Sequence, residues 1–182
     1  MMSDRLIEEL IVEKAQTFIG QREKPGNMGF KVKWFDKLMR SVGFRDTHAW
    51  CVYFTELVWR EAYKDNDERK LESIKALFTG GAVRTFRRFK KDPHYTVTDT
   101  PTTGGLLFWQ LYKNGKATSM GHAAICSRSS GSHLIHSIDG NTNSKGGREG
   151  VEVAAKTRTN NMGEKHGLVY LGCVLAPGIE GT

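Results

Sequence analysis

Residues 92–112 read DPHYTVTDTPTTGGLLFWQLY, and the texture of the chain changes across them. Before Pro93 the apolar residues recur at helical spacing; after it come short β-prone runs separated by Gly, Asn, Ser and Thr clusters. Upstream, helices are expected over 4–19, 30–41, 48–64, 69–78 and 81–90, with a turn at Pro25-Gly26-Asn27. The third should be capped by Asp46 or Thr47 and carry an apolar stripe of Trp50, Phe54, Leu57 and Val58. Downstream, strands are expected at 94–97, 105–112, 121–127, 133–138, 150–157 and 167–175. Helices first and strands afterwards predict an α+β fold, with helices packed on one mainly antiparallel sheet. One domain over 1–176 with a frayed tail at 177–182 fits the length of 182 residues.

Composition narrows the function. With 38% hydrophobic residues the chain can bury a core, so a disordered binding segment is excluded. Apolar runs are too short for a transmembrane helix. The start, MMSDRLIEEL, carries acidic residues where a secretory leader needs a basic and then an apolar stretch, so synthesis in the cytoplasm is expected. A net charge of +7 predicts attraction to polyanions, whether nucleic acid, anionic membrane or the acidic polymers of a bacterial envelope. Arg84, Arg87, Arg88 and Lys91 fall on one helical face and are the candidate contacts; a merely solvated face is the plainer alternative.

Three cysteines make a disulfide scaffold improbable on parity and sparseness. Cys173 lies in the apolar run Leu168–Leu175 and reads as core. Cys126 shares a strand with His122 at a distance of about 13 Å, too far to be its partner. Cys51 differs, because it sits in the first turn of a predicted helix, where free N–H groups and the helix dipole favour a thiolate. His122 follows Gly121 and opens a strand, where it is placed to act as a base. Asp139-Gly140-Asn141 follows the next strand, so a hairpin would return a carboxylate or amide to the imidazole; a plain turn is the alternative. His133 and His136 face opposite sides of their strand, and no zinc motif is present.

Taken together, Trp50-Cys51-x-x-Phe54, Gly121-His122 and Asp139-Gly140-Asn141 resemble the CHAP branch of the NlpC-type, papain-like cysteine peptidases and amidases. The spacings agree: 71 residues from cysteine to histidine and 17 from histidine to aspartate. Ile19-Gly20, Glu23, Pro25, Asn27-x-Gly29 and Gly43 resemble the segment before the cysteine in phage and bacterial cell-wall hydrolases. The match covers about residues 10–142. There are departures. Gly105 stands where the family usually has Asp, a loss expected to cost local rigidity; Ala49 replaces a frequent Pro, and Asp139 replaces a frequent Glu.

The resemblance implies a papain-like fold with Cys51 as nucleophile, His122 as base, and Asp139 with Asn141 holding the imidazole. It implies peptidoglycan stem peptides as substrate and no metal or organic cofactor. Glu23, Asn27, Trp50 and Trp109 are the candidate substrate contacts. A phage endolysin is the first expectation, acting on the wall as a monomer after release. An injected type VI amidase effector with an immunity partner shares the chemistry. A non-catalytic wall- or nucleic-acid-binding protein on a degenerate hydrolase fold is the rival from another class.

Overall fold

The computed structural model describes residues 6–131, 133–142 and 150–178. Residues 4 and 5 of the expected first helix and the last four residues of the expected tail lie outside it. Among the described residues, five α-helices precede six strands. The helices are α1 (Ile7–Thr17), α2 (Lys33–Ser41), α3 (Cys51–Tyr63), α4 (Glu68–Leu77) and α5 (Ala82–Lys91). The strands are β1 (Val97–Thr98), β2 (Leu106–Lys113), β3 (Lys116–Arg128), β4 (Leu134–Thr142), β5 (Glu152–Thr159) and β6 (Gly167–Val174). They form one antiparallel sheet in the order β1-β6-β2-β3-β4-β5. The α+β expectation holds.

The run Leu106-Leu107-Phe108-Trp109 is apolar throughout because both faces of β2 are buried. Leu106 and Phe108 join Ala123, Ile125, Ile138 and Val174 beneath the helices. Leu107 and Trp109 join Ala124, Cys126, Ile135, Tyr170 and Cys173 in a second, smaller core on the other face. Helix α3 packs on β3 and β4 while α1, α2 and α4 pack on it, so it is buried nearly all round instead of along one stripe. No helix among the described residues is long and apolar enough to cross a membrane.

Several boundaries differ from expectation for local reasons. Strand β3 begins five residues early because Asn114 and Gly115, both at positive φ, close a two-residue hairpin from β2. Strand β1 starts late because the Asp92 carboxylate accepts the His94 N–H and holds a turn there. Strand β4 does not end at 138: it runs through Asp139-Gly140-Asn141 to Thr142, with a bulge that puts Asn141 at φ 54°. Asp139 to Asn141 is therefore strand, not turn. The tail is tied down at its start, since the Tyr63 hydroxyl donates to the Pro177 carbonyl at 2.6 Å.

Gly105 also has a reason of its own. A Cβ there would run into Cys173 Sγ and the carbonyls of Thr102 and Val174. The turn is held instead by its backbone: Gly105 N–H donates to Thr102 O and Gly104 N–H to Cys126 O, each at 2.9 Å.

Candidate active site

Helix α3 begins at Cys51, three residues later than the sequence suggests, because residues 45–48 form a turn with Thr47 at φ 71°. Neither Asp46 nor Thr47 caps it; Trp50 occupies the N-cap without a side-chain bond. The first-turn N–H groups therefore stay free of a side-chain cap. Trp50 is fixed otherwise. Its indole N–H donates to Glu23 Oε2 at 2.5 Å, and the Asn27 amide donates to Glu23 Oε1 at 3.0 Å. Asn27 in turn accepts the Thr47 N–H on its carbonyl at 2.8 Å. Glu23 and Asn27 thus clamp the segment leading into Cys51.

The sheet opens where the site lies. Strands β3 and β4 pair at Ile125↔Ile138, Cys126↔Ser137 and Arg128↔His136, and part company beyond Ile125. His122 lies on the unpaired part of β3 and Asp139 on β4 beyond its pairing with β3, and α3 packs against both strands. Gly140 permits the approach: a Cβ there would collide with the side chains of Phe54 and Trp50. On the far side, Gly121 lies against the Trp109 carbonyl of β2. Small residues flank both the base and the acid because neighbouring backbone and rings pass too closely for anything larger.

His122 Nε2 and Asp139 Oδ2 are 2.6 Å apart. That bond leaves Nδ1 as the free ring nitrogen, and Cys51 and the imidazole each favour the other's charged form. The sulfur also faces the N–H groups of Val52, in its own helix, and Ala123, on the open edge of β3. Burial opposes a thiolate at Cys51, but His122 and these two N–H groups outweigh it and hold the thiol below its usual 9.0. Burial likewise opposes an imidazolium, yet Asp139 and Cys51 raise His122 to about 9. The two shifts run in opposite senses, each favouring the charged form of its group. The other two thiols go the opposite way: burial pushes Cys126 up to about 12 and Cys173 to about 11. Of the three thiols, Cys51 alone is shifted towards its thiolate.

Asp139 has no exposed surface. Burial works against its charge, but His122 and Arg158 overcome that and lower it to about 2. Arg158, on β5, donates through Nη2 to Oδ2 at 2.5 Å and through Nη1 to Oδ1 at 3.2 Å. The Ser137 hydroxyl donates to Oδ1 at 2.5 Å and accepts from Arg158 Nη1 at 2.9 Å. Arg158 also lies over the Trp109 ring, 5.2 Å from its centroid, and that ring packs 5.7 Å from the imidazole. The sequence reading gives neither Arg158 nor Ser137 a role in the site. Their only signal is two polar residues in β-prone runs, and that pattern does not say that β5 lies beside β4.

The remaining sequence candidates fall in other places. Asn141 is two residues beyond Asp139, half-buried, and makes no bond to His122; the imidazole's partner is the carboxylate. Trp50 and Trp109 have 0% and 1% of their surface exposed, so they pack and position, and present no ring to a substrate. Glu23 borders a cleft of about 260 Å³ together with Arg22, Lys24, Pro25, Lys31 and Val151. Arg84, Arg87, Arg88 and Lys91 are all exposed along α5, with Arg88 donating to the Ala76 carbonyl at 3.2 Å. No group of three His, Cys, Asp or Glu among the described residues is arranged to hold a metal ion. No family model, curated protein or solved structure matches this chain.

Proposed function

We propose that this chain is a papain-like cysteine hydrolase of the CHAP/NlpC type that cleaves amide bonds in the peptide stems of peptidoglycan. The observation that carries the reading is the 2.6 Å bond from His122 to a buried Asp139, coupled to Cys51 so that the thiol is lowered and the imidazole raised. The substrate class rests on the sequence resemblance around these residues and on a basic surface suited to an anionic envelope. In the cycle, the Cys51 thiolate attacks the scissile carbonyl carbon. N–H groups at the start of α3, where no side chain caps the helix, serve as donors to the oxyanion. The imidazolium gives its proton to the leaving amine as the C–N bond breaks, leaving a thioester. Water, deprotonated by His122, then releases the acid and restores the thiolate. No step requires a cofactor.

Incubation with purified peptidoglycan tests this directly. The expected result is soluble fragments whose masses show a hydrolysed amide, absent with a Cys51→Ala control. If the chain releases nothing although Cys51 is alkylated rapidly at neutral pH, the nucleophile serves another substrate and the peptidoglycan reading fails.

The pH dependence carries a sign. His122 holds its proton below about 9 and loses it above. Hydrolysis needs that proton for the leaving amine, so its rate should fall about tenfold per pH unit above that point. Alkylation of Cys51 needs only the thiolate, which persists there. A parallel loss of both rates above about 9 would mean the protein unfolds instead.

The α5 cations give a further expectation. Reversing Arg84, Arg87, Arg88 and Lys91 to Glu should weaken association with intact walls about tenfold at low salt. The difference should shrink as salt screens exposed charges, and cleavage of a small stem peptide should stay unchanged. Sedimentation of protein with walls across a salt series measures it; equal binding at low salt would leave α5 an ordinary solvated face.

A further inference from the structure

We infer that Arg158 is a positioning residue of the site, a cation that holds Asp139 in place and balances the charge of the buried catalytic row. This rests on the reading of Cys51 and His122 as a reactive pair. Four groups on four elements alternate in sign: Arg158 on β5, Asp139 on β4, His122 on β3 and Cys51 at the start of α3. Strand β2 contributes only the uncharged Trp109, and β6 contributes Tyr170, whose ring packs 5.6 Å from Trp109. With thiolate and imidazolium formed, the row is neutral as a whole.

The geometry is that of a built clamp. The guanidinium takes both carboxylate oxygens, which fixes the carboxylate plane and aims Oδ2 at the imidazole. Ser137 bonds to both partners of that fork. The guanidinium itself lies over the Trp109 ring, so it is held on a π face as well as by its hydrogen bonds. Lysine would keep the charge and lose the fork.

The charge balance makes the prediction specific. Removing Arg158 leaves the buried row with one excess negative charge, so it takes up a proton more readily. His122 still bonds Asp139 and keeps it ionised, so the proton falls to Cys51 and thiolate formation moves to higher pH. Removing the carboxylate instead, by Asp139→Asn, leaves one excess positive charge and moves it to lower pH. Removing both restores neutrality.

The test is the pH profile of Cys51 alkylation by iodoacetamide in the full chain, with the labelled peptide identified by mass. It needs no peptidoglycan, so its result is independent of the substrate. In Arg158→Met and Arg158→Gln the onset of alkylation should rise by about one pH unit. In Arg158→Lys it should stay near that of the parent while hydrolysis slows. In Asp139→Asn it should fall, and in Asp139→Asn/Arg158→Met it should return towards the parent. A merely structural role would lower rates without moving the onset in opposite directions. An unchanged onset in the folded Arg158→Gln protein, or no return in the double variant, overturns the assignment. A normal Arg158 effect in a protein that leaves peptidoglycan intact would overturn the substrate reading alone.

Discussion

Replacing Cys51 by Ala is expected to lower the proposed peptidoglycan hydrolysis by at least about three orders of magnitude. The covalent route has no substitute on this chain, because Cys126 and Cys173 are wholly buried with thiols raised to about 12 and about 11. The fold should survive. Cys51 stands at the first position of α3, where only the sulfur is lost and no helical hydrogen bond is removed. Cys51→Ser should be nearly as inactive, since a hydroxyl in this setting stays protonated at neutral pH and His122 loses the thiolate that helps raise it. The measurement is the rate of soluble fragment release, with circular dichroism and a melting curve alongside. Retention of more than about a tenth of the parent rate in a folded Cys51→Ala protein would remove Cys51 from the mechanism.

Much of this site is legible in the sequence because its parts carry local marks. Cys51 opens a helix, His122 follows a glycine on a strand, and Asp139 precedes one. Each position is marked by local periodicity, and the spacing between them supplies the rest. The helices-then-strands order is legible at Pro93 for the same reason, as period 3.6 gives way to period 2. What stays hidden is whatever depends on strand neighbours. Arg158 reaches Asp139 because β5 lies beside β4, with Asp139↔Ala154 and Ile135↔Arg158 in register. Nothing local to residues 150–158 states that register. Glu23, Asn27 and Trp50 are misread in a related way. A carboxylate, an amide and an indole near a nucleophile suit a substrate groove equally well. Only the bond from Trp50 to Glu23, across 27 residues of sequence, makes them a clamp. Asn141 shows the limit of a two-residue interval: the bulge after Asp139 breaks the strand's alternation.

His122→Ala should be as damaging as loss of Cys51, and for a reason that can be read at the sulfur. Without the imidazolium, burial of Cys51 is no longer outweighed by its principal opposing partner, and the thiol returns towards or above its usual 9.0. Alkylation at pH 7 should then fall about a hundredfold, in parallel with hydrolysis. Asp139→Asn acts differently, because the amide still fills the space and still meets the ring. The lost charge lowers His122 from about 9, so the imidazolium that must protonate the leaving amine is depleted at neutral pH. It also leaves the guanidinium of Arg158 facing a neutral group in a site where its charge had been matched. Hydrolysis should drop by about two to three orders of magnitude while Cys51 remains reactive towards iodoacetamide at lower pH than in the parent. That split, hydrolysis lost and thiolate kept, distinguishes loss of the orienting charge from general damage to the site. Asn141→Ala is the matched control. Its side chain makes no bond to the imidazole, so its rates should stay within about threefold of the parent. A loss in Asn141→Ala as large as that in Asp139→Asn would transfer the orienting role from the carboxylate to the amide.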